Sequence, residues 1–293
     1  MFSDNIYRSI MKLNISSSQE DFLKFCIFKL FFFKENISNP YFKELSDIYN
    51  VPEEKRWSLK ISEEEKKEII SGSVEQNIFK ENSFLLKNYR EISEEVSSIL
   101  RERIESFLSQ YLNILESMFG SYDFEEVDLC LISTPIKMET KLLPAFVIKA
   151  LPKKIFLSVK EGNIHKDDII FYTKTFLYEL GHVFINNNQV FQKILLEEWK
   201  DKYRHIDSWN YRNIVEELLV SSIMFSYKDF GFAYSVLGLR ENLKEKEDSL
   251  NKNKFRVITF KFLESLKNSK EENKLEKMLP VFIEELVKEG LFL

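Results

Sequence analysis

Residues 178–182 read Tyr-Glu-Leu-Gly-His, which sets a carboxylate three positions ahead of an imidazole and a phenol just before the carboxylate. A second acidic pair, Glu216-Glu217, stands in the otherwise apolar run WNYRNIVEELLVSSIMFSYK at 209–228. These residue types suit metal-assisted hydrolysis, in which a carboxylate takes a proton from water and an imidazole can hold a metal through a ring nitrogen. The spacing serves that chemistry only on a helix, where positions 178 and 182 lie one turn apart on one face, with 179 beside them.

The surrounding residues supply that helix. Phe176, Leu177, Leu180, Val183 and Phe184 form one side and are expected to be buried, which leaves Thr175, Tyr178, Glu179, His182 and Asn186 as a polar stripe. Gly181, mid-helix, costs about 1 kcal/mol relative to Ala, so a close approach by another backbone is expected there. Asp167 and Asp168 are placed to cap the positive end of the helix. On the second helix, Glu217 shares a face with Asn213 and Ser221, while Glu216 points toward Val220 and Ile223. Carboxylates amid apolar residues are rarely buried without a partner. Glu217 is therefore expected to be a metal ligand or the hydrogen-bond partner of His182.

Upstream, VDLCLIS (127–133), AFVIKAL (145–151) and KIFLSVK (154–160) read as short strands, the last two joined as a hairpin through PKK. From Ser93, the residues Val96, Leu100, Ile104, Phe107, Leu108, Tyr111, Leu115 and Met118 form one apolar stripe, and Gly120 ends it in the C′ position. Nearer the amino end, SSSQEDF (16–22) reads as a capping box with Ser17 at the cap and Glu20 three residues on. A second is expected in SEEE (62–65). The fold class is thus α+β and mainly helical. Expected divisions are a helical N-terminal region at 1–88, a core at 89–240, and a helical tail at 241–293 set off by the charged stretch ENLKEKEDSLNKNK.

The small sheet, the motif helix and the glutamate helix together resemble the zincin metallopeptidases of the gluzincin type. In that superfamily an H-E-x-x-H helix gives two ligands and a general base, and a later helix gives a glutamate ligand. The resemblance spans about residues 120–230 and implies a zinc cofactor, Glu179 as the catalytic base, and His182 and Glu217 as metal ligands. Tyr178 stands where the first histidine ligand would be. A phenol binds metal only as phenolate, from a pKa near 10, and catalytic zinc uses three protein ligands plus water. The resemblance also implies that an extended peptide adds to the edge of strand 154–160, with Tyr178, Ile155 and Leu157 as binding residues.

The whole chain narrows the field. Its 293 residues are 44% hydrophobic and 30% charged, as in a globular protein, and only seven are glycine, which suits helix over hairpins. A net charge of −5 with interspersed Lys and Glu argues against nucleic-acid binding. FLKFCIFKLFFFK (22–34) is too short to span a bilayer and contains Lys24 and Lys29. Cys26 and Cys130 sit in apolar runs without metal-like spacing, which suits reduced thiols and a cytoplasmic setting, and no secretory signal is expected. His165 and His205 are expected at the surface. Phosphate-binding glycine loops, C-x-x-C pairs and a G-x-S-x-G elbow are absent from the sequence. The expectation is a zinc-metallopeptidase-like protein impaired in catalysis, which binds a peptide or protein partner. An active peptidase with an altered ligand set and a helical scaffold stand as the alternatives.

Overall fold

The computed structural model describes residues 11–22, 24–25, 89–122, 124–134, 145–148, 151–160, 164–225 and 254–291. Its elements are β1 (Lys12–Ser16), α1 (Glu94–Phe119), β2 (Glu126–Thr134), β3 (Ala145–Ile148), β4 (Leu151–Lys160), α2 (Lys166–Asn187), α3 (Gln189–Glu198), a π-helical turn (Trp199–Tyr203), α4 (Ser208–Phe225), α5 (Lys254–Asn268) and α6 (Lys274–Lys288). The protein is mainly helical with one small sheet, an α+β fold. The boundaries expected at 88 and 240, the capping box at 62–65 and residues 26–34 of the phenylalanine-rich run lie outside the described residues. Among the described residues, no helix is long and apolar enough to cross a membrane.

The chain divides into two compact units. One comprises Lys12–Glu102 and Glu126–Tyr172; the other comprises Met1–Met11, Arg103–Glu125 and Thr173–Leu293. The first carries the four-stranded sheet, in the order β1-β2-β4-β3. β1, β2 and β4 run parallel, and β3 pairs antiparallel with β4 as a hairpin, with a register irregularity between Val147 and Ile148; PKK, expected as its turn, lies inside β4. Ile155, Phe156 and Leu157 are all fully buried, so both faces of the sheet are covered.

This order corrects the expectation of an edge at 154–160. β4 is an interior strand, paired with β2 through Asp128↔Lys154 to Thr134↔Lys160 and with β3 through Ala145↔Leu157. Past the end of β3, the Lys160 N–H donates to the Tyr172 hydroxyl at 2.9 Å. The short β3 was expected only as a hairpin partner, yet it occupies the very edge assigned to a peptide. At the β1 edge, Arg101 Nη1 donates to the Leu13 carbonyl at 2.6 Å, which blunts one exposed acceptor.

Local capping explains the helix starts. The cap of the first helical stretch is Ser18, one residue later than expected: the Asp21 N–H donates to Ser18 Oγ at 3.1 Å, and Ser18 Oγ donates to Asp21 Oδ2 at 2.8 Å. Asp21, not Glu20, is then the third helical residue, and Glu20 pairs with Lys24 instead. Ser93 caps α1, and Gly120 follows its end with φ +86°, donating to Glu116 O at 2.9 Å. Cys130 is a buried free thiol, pushed up to about 12 by burial and by the Asp21 charge.

Candidate functional site

The helical unit builds the site from α2 and α4. The apolar side of α2, from Phe176 and Leu177 through Leu180, Val183 and Phe184, is fully buried, which leaves the polar stripe on its other side. At the start of α2, Asp168 Oδ2 accepts the His165 N–H at 3.0 Å, so one of the two expected aspartates does the capping. At its end, Asn188 turns the chain. Its side chain accepts the Phe191 N–H at 2.8 Å, capping α3, and donates to the Phe119 carbonyl at 2.8 Å. The π-helical turn then leads to α4, where Trp199 Nε1 donates to Ile206 O at 2.9 Å and Tyr203 stacks on Tyr211.

Gly181 meets side chains, not the backbone that was expected. A Cβ there would stand 2.7 Å from the Tyr111 hydroxyl and 2.9 Å from Val220 Cγ1. Tyr111 is wholly buried, and burial, followed by the charge of Glu179, raises its pKa above the usual range. The glycine therefore lets α4, through Val220, seat close against α2.

That approach brings a carboxylate to each nitrogen of one imidazole. His182 Nδ1 lies 2.6 Å from Glu216 Oε1, and His182 Nε2 lies 3.4 Å from Glu217 Oε2. Asn186 Nδ2 donates to the same Glu216 oxygen at 2.9 Å, and the Tyr178 hydroxyl donates to Glu217 Oε1. The Tyr178 and His182 rings meet edge to face, with centroids 5.1 Å apart. Side-chain exposure separates the two acids: Glu216 is 7% exposed and Glu217 is 59%.

Electrostatics follow from this geometry. Burial alone would lower the His182 pKa, but its bonds to Glu216 and Glu217, with their charges and that of Glu179, raise it to about 10. At neutral pH it is an imidazolium that donates from both nitrogens. Burial works against the Glu217 charge, yet the bonds from His182 and Tyr178 and the charge of Arg256 on α5 hold its pKa below the ordinary value. Tyr178 moves the opposite way: burial first, then the Glu217 charge and bond, raise it well above the ordinary phenol value.

A catalytic zinc does not fit this donor set. Tetrahedral donors at 2.0–2.1 Å from zinc stand about 3.4 Å apart, so the spacing of His182 Nε2 and Glu217 Oε2 suits two ligands of one ion. A third ligand is what the set lacks: the Tyr178 hydroxyl donates to Glu217, and His182 Nδ1 already faces Glu216. No group of three or more His, Cys, Asp or Glu among the described residues is arranged to hold a metal ion.

No family model, curated protein or solved structure matches the chain. The site is therefore read from its own geometry. Of the residues singled out in the sequence, Tyr178, Glu179, His182 and Glu217 come together, and the charge of Glu179 acts on Tyr111, Tyr178 and His182. Ile155 and Leu157, expected as binding residues, belong to the sheet unit, where their side chains are fully buried. His165 and His205 are exposed, as expected.

Glu216 is the residue that sequence reasoning missed. Helical geometry was used to choose one acid of the adjacent pair, but two neighbours about 100° apart straddle the line facing α2. The signal was present, because a carboxylate beside Val215 and Val220 needs a partner as much as its neighbour does.

Proposed function

We propose that the chain is a zincin-like protein that does not hydrolyse peptide bonds and acts by binding a peptide or protein partner. What carries this reading is the engagement of both His182 nitrogens by Glu216 and Glu217, with Tyr178 on the outer acid. The helix pair keeps the general base, the second ligand and the third ligand of the resemblance in one place, while a phenol bonded to Glu217 stands where the first ligand would be. Partner binding falls to the open side of the site, where Glu217 is exposed and Tyr178 and Glu179 are half-buried. Capture along β4 is not part of the proposal, since that strand is paired on both sides.

Elemental analysis of the purified chain is expected to find far less than one zinc per molecule. In Tyr178→His, zinc affinity rises by orders of magnitude, because an imidazole replaces a phenol that holds its proton. Peptide capture by the parent and by Glu179→Gln should be equal, with no cleavage by either. Stoichiometric zinc together with cleavage that Glu179→Gln abolishes would overturn the reading in favour of an active peptidase. Failure of the parent to capture anything from a broad peptide library would leave a helical scaffold.

A further inference from the structure

The sheet unit holds a cavity of about 340 Å³ that the α2–α4 site does not use. A cavity of this volume lies at the small end of those that bind organic ligands. It opens where the carboxyl ends of two parallel strands, at Ser133 of β2 and Lys160 of β4, meet the amino end of α1 at Ser93. Ligands of parallel sheets commonly bind outside the carboxyl ends of the strands.

The lining has two chemical halves. Ile92, Val96, Val159 and Ile164 form an apolar wall. Lys160 and Arg90 supply two cations beside the lining carboxylate of Glu91, and Arg90 Nη1 also donates to the Tyr89 carbonyl at 2.8 Å. Lys160 is exposed, and no carboxylate among the described residues pairs with it. Ser93 Oγ accepts the Val96 N–H at 3.4 Å, which leaves its own proton free to donate. The first turn of α1 already carries Glu94 and Glu95, which take up the field of the helix start, so the cavity with its wall and cations defines the site.

We propose that this cavity binds a small organic anion, with its apolar body on the Ile92, Val96, Val159 and Ile164 wall and its head group at Lys160 and Arg90. A carboxylate and a phosphate share the chemistry these cations recognise. The site is independent of the reading given for α2 and α4.

The full chain, titrated with benzoate, phenyl phosphate and benzyl alcohol and followed by backbone amide NMR, tests this. Saturable shifts at Ser93, Val96, Ser133 and Lys160 are expected with one or both anions, and the stronger of the two identifies the head group. Benzyl alcohol should bind at least 10-fold more weakly. Lys160→Gln is expected to weaken anion binding about 10-fold with an unchanged melting temperature, and Val96→Trp to abolish it by filling the cavity. No saturable shift with either anion, equal binding of the alcohol, or undiminished affinity in Lys160→Gln would each overturn the proposal.

Discussion

In the sheet unit, Lys154 of β4 sends its ammonium to Asp21 at 2.9 Å, and Ser16 and Ser18 complete the acceptor shell of that aspartate. In the helical unit, His182 stands between Glu216 and Glu217. The first cluster is closed: the Asp21 side chain is 8% exposed and that of Lys154 is 24%. Each charge there meets one opposite charge, and hydroxyls take the remaining lone pairs. The second holds His182 between two acids, with the charge of Arg256 acting on the outer one, and opens to solvent through Glu217. A closed, balanced pair is a fastening. An open cluster whose outer carboxylate reaches solvent can still exchange partners, which is why the proposed partner binding is placed there.

The largest effect should come from breaking the buried side of the open cluster. Glu216→Ala leaves His182 and Asn186 without their shared acceptor in a site that water reaches poorly. Removing one member of such a pair costs about 3–5 kcal/mol, read by chemical denaturation. A loss under about 1 kcal/mol would mean that Glu217 alone can hold the imidazolium.

The pH profile sharpens the same point. A histidine whose pKa is raised on folding stabilises fully below the unfolded value of about 6.5 and loses that contribution as pH climbs toward 10. Glu217, with its pKa lowered, contributes above the ordinary carboxylate range and loses that as pH falls. Stability should therefore decline from pH 6.5 to 10, and Glu216→Gln should flatten that slope. An equal slope in both proteins would assign the alkaline loss to another group.

Asp21→Asn tests the closed cluster and should cost less. Lys154 is left uncompensated, but it is the more exposed partner and can rehydrate. About 1–3 kcal/mol is expected, the range for a buried group that loses its partner. If this loss exceeded that of Glu216→Ala, the contrast between fastening and open site would fail.

Legibility in the sequence differed between the units for physical reasons. In the helical unit, a 3.6-residue period named both buried faces, and the His182–Glu217 approach followed from carboxylates that need partners. Glu216 was lost because periodicity resolves faces, not the 100° between neighbours. In the sheet unit, β2, β3 and β4 were readable from local composition, but β1 at Lys12–Ser16 and the position of the turn before β4 were not. Strand order was not: it depends on the long-range pairing of β1 with β2, across more than 100 residues, which no local pattern encodes. The cap at Ser18 shifted by one because three consecutive serines are equivalent until Asp21 selects among them.

Gly181→Ala sets helix propensity against packing. Alanine gains about 1 kcal/mol in a helix interior, but its Cβ would press on the buried Tyr111 hydroxyl and on Val220. Overpacking costs about 1–3 kcal/mol, so after the propensity gain a net loss of up to about 2 kcal/mol is expected. In a Tyr111→Phe background the closest clash disappears and the alanine should cost less. A double-mutant cycle with no coupling would show that Val220, not the hydroxyl, sets the limit.

Tyr178→Phe is the mildest change and the most direct probe of what the phenol does. It removes one hydrogen bond to Glu217 and keeps the ring against His182. Because that carboxylate is 59% exposed, water can replace the donor, and the loss in stability should be about 0.5–1 kcal/mol. Its pKa effects are the sharper readout. Without the phenol, Glu217 loses one of the groups that lower its pKa, so its titration should move up toward the ordinary carboxylate value. His182 keeps both acids and should stay protonated through neutral pH, visible in its ring nitrogen NMR shifts. A phenylalanine variant in which His182 turns neutral near pH 7 would show that the phenol, through Glu217, holds the proton on the imidazole. The open cluster would then be a four-member relay from Tyr178 through Glu217 and His182 to Glu216, and zinc could compete for His182 once that relay was cut.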